Sequence, residues 1–592
     1  MSETIMSLTS TFYSALAEDS IRFFPTCRKW IMDDLEYIHD RIQHEGEPFV
    51  LDVLPCFGKA LETALISGCE LEVSTTFERA YEGHLPKLLY WLTSKFFEDS
   101  GSLKRDPEKD PLAMSLLRTW TKVFSKYRVP ASDEKVNEAI TGFKSRVTRK
   151  HNITCKGVIM RQARRILADL LMPDGKLHPS IAQWVEEPFG KHGPGAVAGG
   201  EKGRNKWDFE PISSIQDPRI FQWRDEELSH WYEMDDGTYV PEAKLPISRL
   251  CVVPKDHRGP RIICAEPKEI QFAQQGLARV LCNIVASDPI ASRHIHFRDQ
   301  RPNFRLSRYY KRVATVDLSD ASDHVSMALM RAIFPREVCD ILSRVRSILV
   351  RDPDEELTRV YCYATMGSAL CFPVETLVFW AIAQACVPDN VKEAADVLVF
   401  GDDIIVPLEY LDRVCDSLQQ CDLIINRKKT CGPCTPVRES CGSWFWFGKD
   451  ARCVQIKSFP TAKGDYAPWC ACIEYAKDLY NKGFQNSAQA ILDICNGILQ
   501  VPYGYNGIPP MWDEDQEAVR MSLKLAGMYR YNRNLQRTEI RIPSFVAAGG
   551  KDTVPGYAGL YAWLVGNDTH PVFPGSSEKV KWEWTELRSS GV

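Results

Sequence analysis

Apolar and polar positions alternate most informatively in the middle of the chain. Residues 313–318, Val-Ala-Thr-Val-Asp-Leu, read as a buried strand that ends in an acid. Residues 322–334 carry helical spacing, with Ser322 as the N-cap. From Met366 the spacing predicts a loop entering a long helix that runs to Val387. Its apolar run, 369–387, is interrupted by Pro373, Glu375 and Gln384, which fits a buried helix better than a membrane span. Two short apolar runs, 397–400 and 404–406, flank Gly401-Asp402-Asp403. Gly and Asp tolerate tight turns, so this is a predicted β-hairpin with acids at its tip. Residues 408–422 predict a further helix and 444–447 a further strand. The order strand, helix, helix, hairpin, helix describes a compact α+β unit.

Length adds neighbours to that unit. At 592 residues the chain exceeds a single hydrophobic core and calls for several packed units. Hydrophobic residues at 44% and charged residues at 26% exclude a disordered or collagenous protein. The start lacks a basic segment followed by an apolar one, so no secretory signal is expected. Twenty cysteines without such a signal predict reduced thiols in a cytoplasmic protein.

The formal charge is −5, which argues against a uniformly basic nucleic-acid coat. Its distribution is uneven. Residues 144–171 are net +7, residues 244–261 net +4 and residues 293–312 net +6, so the rest of the chain carries −22. One such stretch reads as a solvated face. Three ahead of an acidic cluster predict a path for a polyanion.

The acidic cluster carries the chemistry. A carboxylate at the end of an internal strand is costly unless solvated, paired or metal-bound. If the strand ending at Asp317 lies beside the hairpin, Asp317 meets Asp402 from 85 residues away. Carboxylate oxygens suit Mg²⁺ or Mn²⁺, and two such ions can activate a hydroxyl and stabilise a leaving pyrophosphate. Other signals are weaker. The loop Gly190-Lys-His-Gly-Pro-Gly195 lacks a Walker pattern and reads as a surface loop or a phosphate cradle. Cys431-Gly-Pro-Cys434 matches a redox string, but Thr435-Pro436 disfavours the helix start that such a site needs.

Val316-Asp-Leu-Ser-Asp-Ala-Ser-Asp323 resembles motif A of viral polymerases, Thr365-Met-Gly-Ser368 motif B and Phe400-Gly-Asp-Asp403 motif C. Asn426-Arg-Lys-Lys-Thr430 resembles motif D and Arg438-Glu-Ser-Cys-Gly442 motif E. Val253-Pro-Lys-Asp256 with Arg261 and Glu266-Pro267 resembles the basic fingers motif F. Together they resemble the replicase catalytic (beta) subunit of the small positive-strand RNA phages, the levivirus group, over about residues 250–445. Motif B departs from that pattern, since Ala369 follows Ser368 where the relatives carry a second Gly.

The resemblance implies an RNA-directed RNA polymerase of right-hand α+β fold. Residues 1–135 would be a mostly helical N-terminal region packing on fingers or thumb, 136–311 fingers, 312–460 palm and 461–592 thumb with the C-terminal region. It implies Asp317, Asp402 and Asp403 as the acids of a two-Mg²⁺ site (Mn²⁺ as substitute), and Lys429 or Lys428 as general acid. Lys255, Arg258 and Arg261 would meet the triphosphate, while Asp323 with Ser368 and Gly367 would read the ribose 2′-OH. Arg149, Lys150, Arg161, Arg164, Arg165, Arg301 and Arg305 would hold RNA backbones. The implied partners are template and product RNA, NTPs, bacterial elongation factors Tu and Ts and a small-subunit ribosomal protein. The implied setting is the cytoplasm of an infected bacterial host, with no membrane role. The alternatives are a reverse transcriptase-like enzyme and a non-enzymatic RNA-binding or packaging protein.

Overall fold

The computed structural model describes residues 2–73, 76–80, 83–151, 153, 157–193, 195–209, 212–213, 215, 231–233, 239–241, 245–388, 396–462, 465–498, 527, 529–547 and 578–586. Lys156, Pro194 and Lys244 of the stretches above lie outside the described residues.

The chain opens with helices α1 (Ser2–Phe23), α2 (Arg28–Glu45), α3 (Leu54–Ser67) and α4 (Pro111–Lys122). The Asp110 carboxylate starts α4 by accepting the Leu112 N–H at 2.9 Å, and Pro111 fills a first-turn position whose N–H is unused. Helix α5 (Asp133–Val147) begins at Ser132, has acids in its first turn and carries Lys144 and Arg146 in its last, a charge order that suits the helix dipole. Helix α6 (Val158–Leu171) follows.

Strands β1 (Ile247–Asp256) and β2 (Gly259–Ala265) form a hairpin that leads into α7 (Lys268–Ser287). Strand β3 (Val313–Val316) is buried along its whole length. The single helix expected over 322–334 is instead two, α8 (Ala321–His324) and α9 (Met327–Ile333). Long-range backbone bonds cause the break. The Tyr363 N–H donates to the Val325 carbonyl at 2.7 Å, and the Met327 N–H to the Tyr361 carbonyl at 3.2 Å. Ser326, not Ser322, caps the second helix, its Oγ accepting the Leu329 N–H at 3.1 Å.

Strands β4 (Leu349–Arg351) and β5 (Leu357–Arg359) complete a four-stranded sheet of order β2-β1-β4-β5. The apolar run forms α10 (Cys371–Ala385), buried from Pro373 to Ala385. Pro373 falls in its first turn, where a missing N–H is tolerated. The expected hairpin is β6 (Leu398–Phe400) and β7 (Asp403–Pro407), and the sheet order is β3-β7-β6, all antiparallel. Helix α11 (Leu411–Gln420) follows. Strands β8 (Val437–Ser440), β9 (Ser443–Trp446) and β10 (Lys449–Asp450) form a meander, and helices α12 (Tyr466–Asn481) and α13 (Gln485–Ile498) follow it. Strands β11 (Tyr529–Asn532), β12 (Arg537–Ala547) and β13 (Glu578–Glu586) make a last antiparallel sheet. The chain is thus α+β, the class its sequence predicts.

Two large cores organise these elements. One joins α6, α7, α9 and α10 to the β3-β7-β6 sheet. The other joins α1 to α4 with β8, β9, α12 and α13, around Trp120, Trp444, Trp446 and Trp469. Fully buried Asp19 of α1 ties the ends of this second core together. It accepts the Asn486 N–H at 3.0 Å and the Ser487 N–H and Oγ at 2.8 Å, closing the start of α13. Among the described residues no helix is long and apolar enough to cross a membrane, and no disulfide joins the described cysteines.

Candidate active site

Strand pairing sets the site. Val316 lies opposite Ile404 and Phe400 opposite Asp403, so the residue after β3, Asp317, arrives at the hairpin tip that carries Asp402 and Asp403. Gly401 turns that tip at φ +61, and a side chain there would strike Phe372 of α10. Segment 424–431 runs along the other edge of β3. The Asn426 N–H donates to the Asp317 carbonyl at 2.9 Å, and Thr315 exchanges backbone bonds with Cys431. This pairing makes Cys431 a buried sheet-edge residue while Cys434 is exposed, so the Cys431–Cys434 string serves the sheet.

The three acids differ in their surroundings. Asp317 accepts Asn426 Nδ2 at 2.8 Å on one oxygen and Lys429 Nζ at 3.4 Å on the other. Asp402 reaches solvent at the tip, yet adjoining protein and the charge of Asp317 push its pKa up. Asp403 accepts the Cys441 N–H at 2.9 Å, but burial and the charges of Asp402 and Asp317 push it up to about 6. Below them, buried Glu375 of α10 is raised well above the carboxylate range by burial and by Asp402 and Asp323, so it stays neutral. Among the described residues no three such side chains already close around one point. The donor set still fits a divalent cation: hard carboxylate oxygens whose mutual repulsion an added positive charge would relieve.

Cations face this group. Burial together with Arg261, Arg258 and Lys429 lowers the pKa of Lys255, and Arg261 and Lys429 both act on Asp402. Lys255, Arg261 and Lys429 therefore share one neighbourhood with the acids. Arg258 is spent on a fork to Asp256, with Nε at 3.1 Å. Burial pushes Lys429 down, but its charge partners Asp317, Glu439 and Asp403 prevail and raise it, so it holds its proton at neutral pH.

Gly367 and Ser368 lie in a loop that docks on β2. The Cys264 N–H donates to the Met366 carbonyl at 2.7 Å, and Gly367, at φ +117, sits against the Cys264 carbonyl. Ala369 donates its N–H to Gln274 Oε1 of α7 at 3.2 Å and has no left-handed backbone, so a second glycine is not required there. Gly367→Ala combines a forbidden φ with a backbone clash. It should cost about 2–4 kcal/mol and cut any activity of the site, read by thermal melting against Ala369→Gly, which should change melting little.

Asp323 is buried and already engaged, with Arg146 Nε 2.8 Å from its Oδ2. The basic stretches disperse around the site. Arg149 pairs with Asp422 at 2.7 Å, and Lys150 lies over the Tyr361 ring. Arg161, Arg164 and Arg165 are exposed on α6, and Arg164 donates to the Arg331 carbonyl of α9 at 3.4 Å. Arg301 pairs with Asp299 at 2.8 Å and Arg305 is exposed, on a short helix that packs beside β6. The glycine-rich loop is occupied too: Lys206 donates to the carbonyls of Gly193 and Gly195, and Gly190 abuts the Phe272 carbonyl. Arg146, Glu375 and Gln274 join the site beyond the residues its motifs name. Glu375 was signalled as the one acid inside an apolar run; the other two depend on partners far along the chain.

Residues 236–462 match the family described as RNA replicase, beta-chain. The matched segment takes in every strand from β1 to β10 and all of Lys255, Asp317, Asp323, Asp402 and Lys429. The RNA-directed RNA polymerase beta chain of Escherichia phage MS2 is 33% identical over 208 residues, 35% of this chain and 37% of that protein. The corresponding beta subunit of Escherichia virus Qbeta is 31% identical over 215 residues, 36% of each chain. The chain thus spans little more than a third of the length of these curated relatives. Among solved structures, the RNA-dependent RNA polymerase of a human picorbirnavirus is similar at 13% identity and a TM-score of 0.35, over 63% of this chain and 75% of that one. Helices α1 to α6, including Arg146, lie outside the matched segment.

Proposed function

We propose that the chain is an RNA-directed RNA polymerase that copies a single-stranded RNA phage genome, joining NTPs to an RNA 3′-OH with release of pyrophosphate. The observation that carries this reading is the meeting of Asp317 with Asp402 and Asp403, faced by Lys255, Arg261 and Lys429, inside the matched segment. In this reading residues 136–311 are fingers, 312–460 palm and 461–592 thumb.

Asp317 and Asp402, with Asp403 beside them, would hold Mg²⁺ or Mn²⁺, which when bound would neutralise phosphate charge and favour the deprotonated hydroxyl. The chain's own side chains do the rest. Lys255 and Arg261 bind and orient the triphosphate. Lys429, protonated at neutral pH, gives up its proton to the departing pyrophosphate oxygen. Asp323 accepts the ribose 2′-OH, and neutral Glu375 supports the hairpin without adding a further charge. Arg149, Lys150, Arg161, Arg164, Arg165, Arg301 and Arg305 hold RNA backbones. Elongation factors Tu and Ts and a small-subunit ribosomal protein are the expected partners in an infected bacterial cell.

The test is extension of a self-priming RNA by the full chain with Mg²⁺ and either NTPs or dNTPs. Ribonucleotide extension is expected. Preference for dNTPs would make the chain a reverse transcriptase, and RNA binding without extension a packaging protein. A second outcome concerns pH. The native state keeps a proton on Asp403 that the unfolded chain loses near pH 4, so stability in EDTA should fall as pH rises to about 6. Mg²⁺ should restore melting temperature above that pH and have little effect at pH 5, read by thermal denaturation.

A further inference from the structure

We propose that Arg146 is a specificity-determining positioning residue: its guanidinium holds the buried Asp323 carboxylate in one orientation, so that the site takes ribonucleotides over deoxyribonucleotides. The inference rests on the reading of Asp323 as the acceptor of the ribose 2′-OH.

Arg146 comes from α5, outside the matched segment and 177 residues before its partner. Its Nε donates to Asp323 Oδ2 at 2.8 Å, leaving Oδ1 to meet an incoming hydroxyl. The same nitrogen lies 3.7 Å from Asp320. A rigid platform sets this position. Lys144, on the same last turn, pairs with Asp352 and, at 2.8 Å, with Glu356, and the Tyr361 N–H donates to the Val147 carbonyl at 2.8 Å. The end of α5 is therefore clamped to the segment that follows β4, and its arginine is carried by a helix rather than a free loop.

The setting explains why a cation is needed. Asp323 is 3% exposed. The titratable groups facing it are Asp320 on its own segment, Glu375 and Cys371 of α10, Cys362 after β5 and Cys264 of β2. None of these is cationic. Burial raises the pKa of Asp323, and Arg146 is the charge that opposes the rise. A carboxylate is a stronger acceptor than a neutral acid, and one fixed by a fork-shaped donor loses less freedom when the sugar arrives. Without Arg146 the acid would take up a proton and turn, and a nucleotide with a 2′-OH would lose its advantage over one without.

The experiment compares the full chain with Arg146→Met and Arg146→Lys. Single-nucleotide extension of a primed RNA is measured with ATP and dATP from about pH 6.5 to about pH 9, alongside binding of Mg²⁺-ATP and Mg²⁺-dATP. The unaltered chain should prefer ATP in kcat/KM by a ratio that is flat with pH. Arg146→Met should lose on the order of tenfold of that ratio at neutral pH and regain part of it as rising pH ionises Asp323. Arg146→Lys should keep most of the ratio and a flat profile. Arg146→Met with an unchanged ATP:dATP ratio, or with equal losses for both nucleotides and no recovery at high pH, overturns the inference. If it merely weakens RNA binding at every pH, Arg146 is a backbone contact and the inference also fails. If the unaltered chain extends with neither nucleotide, the polymerase reading falls, and the binding arm decides this one: an ATP preference lost in Arg146→Met supports it, and equal binding by the unaltered chain overturns it.

Discussion

Asp402→Asn is expected to abolish RNA extension while leaving the chain folded and able to bind RNA. The side chain sits at the hairpin tip, reaches solvent and makes no core contact, so its shape is dispensable. Its charge is not. Asp317 and Asp403 remain in Asp402→Asn, but one hard anionic ligand becomes a neutral amide, and the loss should be about a thousandfold in extension rate. Stability should move the other way. Asp402 raises the pKa of both Asp403 and Glu375, which means that its charge is unwelcome in the cation-free state. The variant should therefore melt at the same temperature as the unaltered chain or higher in EDTA, and gain less from Mg²⁺. Extension retained within tenfold would remove Asp402 from the chemistry. Lost RNA binding would show that the hairpin shapes the RNA site instead.

The second large effect falls on stability. Arg438 is fully buried on β8, and its guanidinium donates to the carbonyls of Val313, Tyr310, Thr435 and Val437. No carboxylate answers it in these bonds, and burial lowers its pKa to about 10. Arg438→Met would leave several buried carbonyls without donors, each worth about 1–3 kcal/mol, so a loss of about 4 kcal/mol or more is expected. Against a total stability of about 5–15 kcal/mol, much of the protein should fail to accumulate in soluble form. Arg438→Lys keeps the charge but not the planar fork, and should recover only part. Denaturant midpoints measure both, and a change below about 1 kcal/mol would contradict the account. The Val313 carbonyl begins β3, four residues before Asp317, so this arginine also fixes the strand that delivers the first acid.

The catalytic end of the fold was readable because it is local. A glycine and two acids between apolar runs specify a hairpin, and an acid closing a buried strand asks for company. Pairing of β3 with β7 then follows from two short edges that both need partners. What escaped was long-range. The break between α8 and α9 comes from backbone bonds to residues 361 and 363, which outweigh a helical pattern that runs straight through Val325. Helices α1 to α4 share a core with β8, β9, α12 and α13, a union sealed by Asp19 across more than 460 residues and invisible to local periodicity. The basic stretches were easy to find and hard to interpret. The charge count did not reveal that Arg146, Arg149 and Arg301 each meet an acid, or that α6 turns three arginines outward.

The most direct measurement is anomalous scattering from crystals of the full chain soaked with Mn²⁺ and an NTP. The account predicts manganese between the carboxylates of Asp317 and Asp402, with the triphosphate reaching toward Lys255 and Arg261. Manganese bound elsewhere while this site stays vacant, or a triphosphate seated away from these residues, would contradict it.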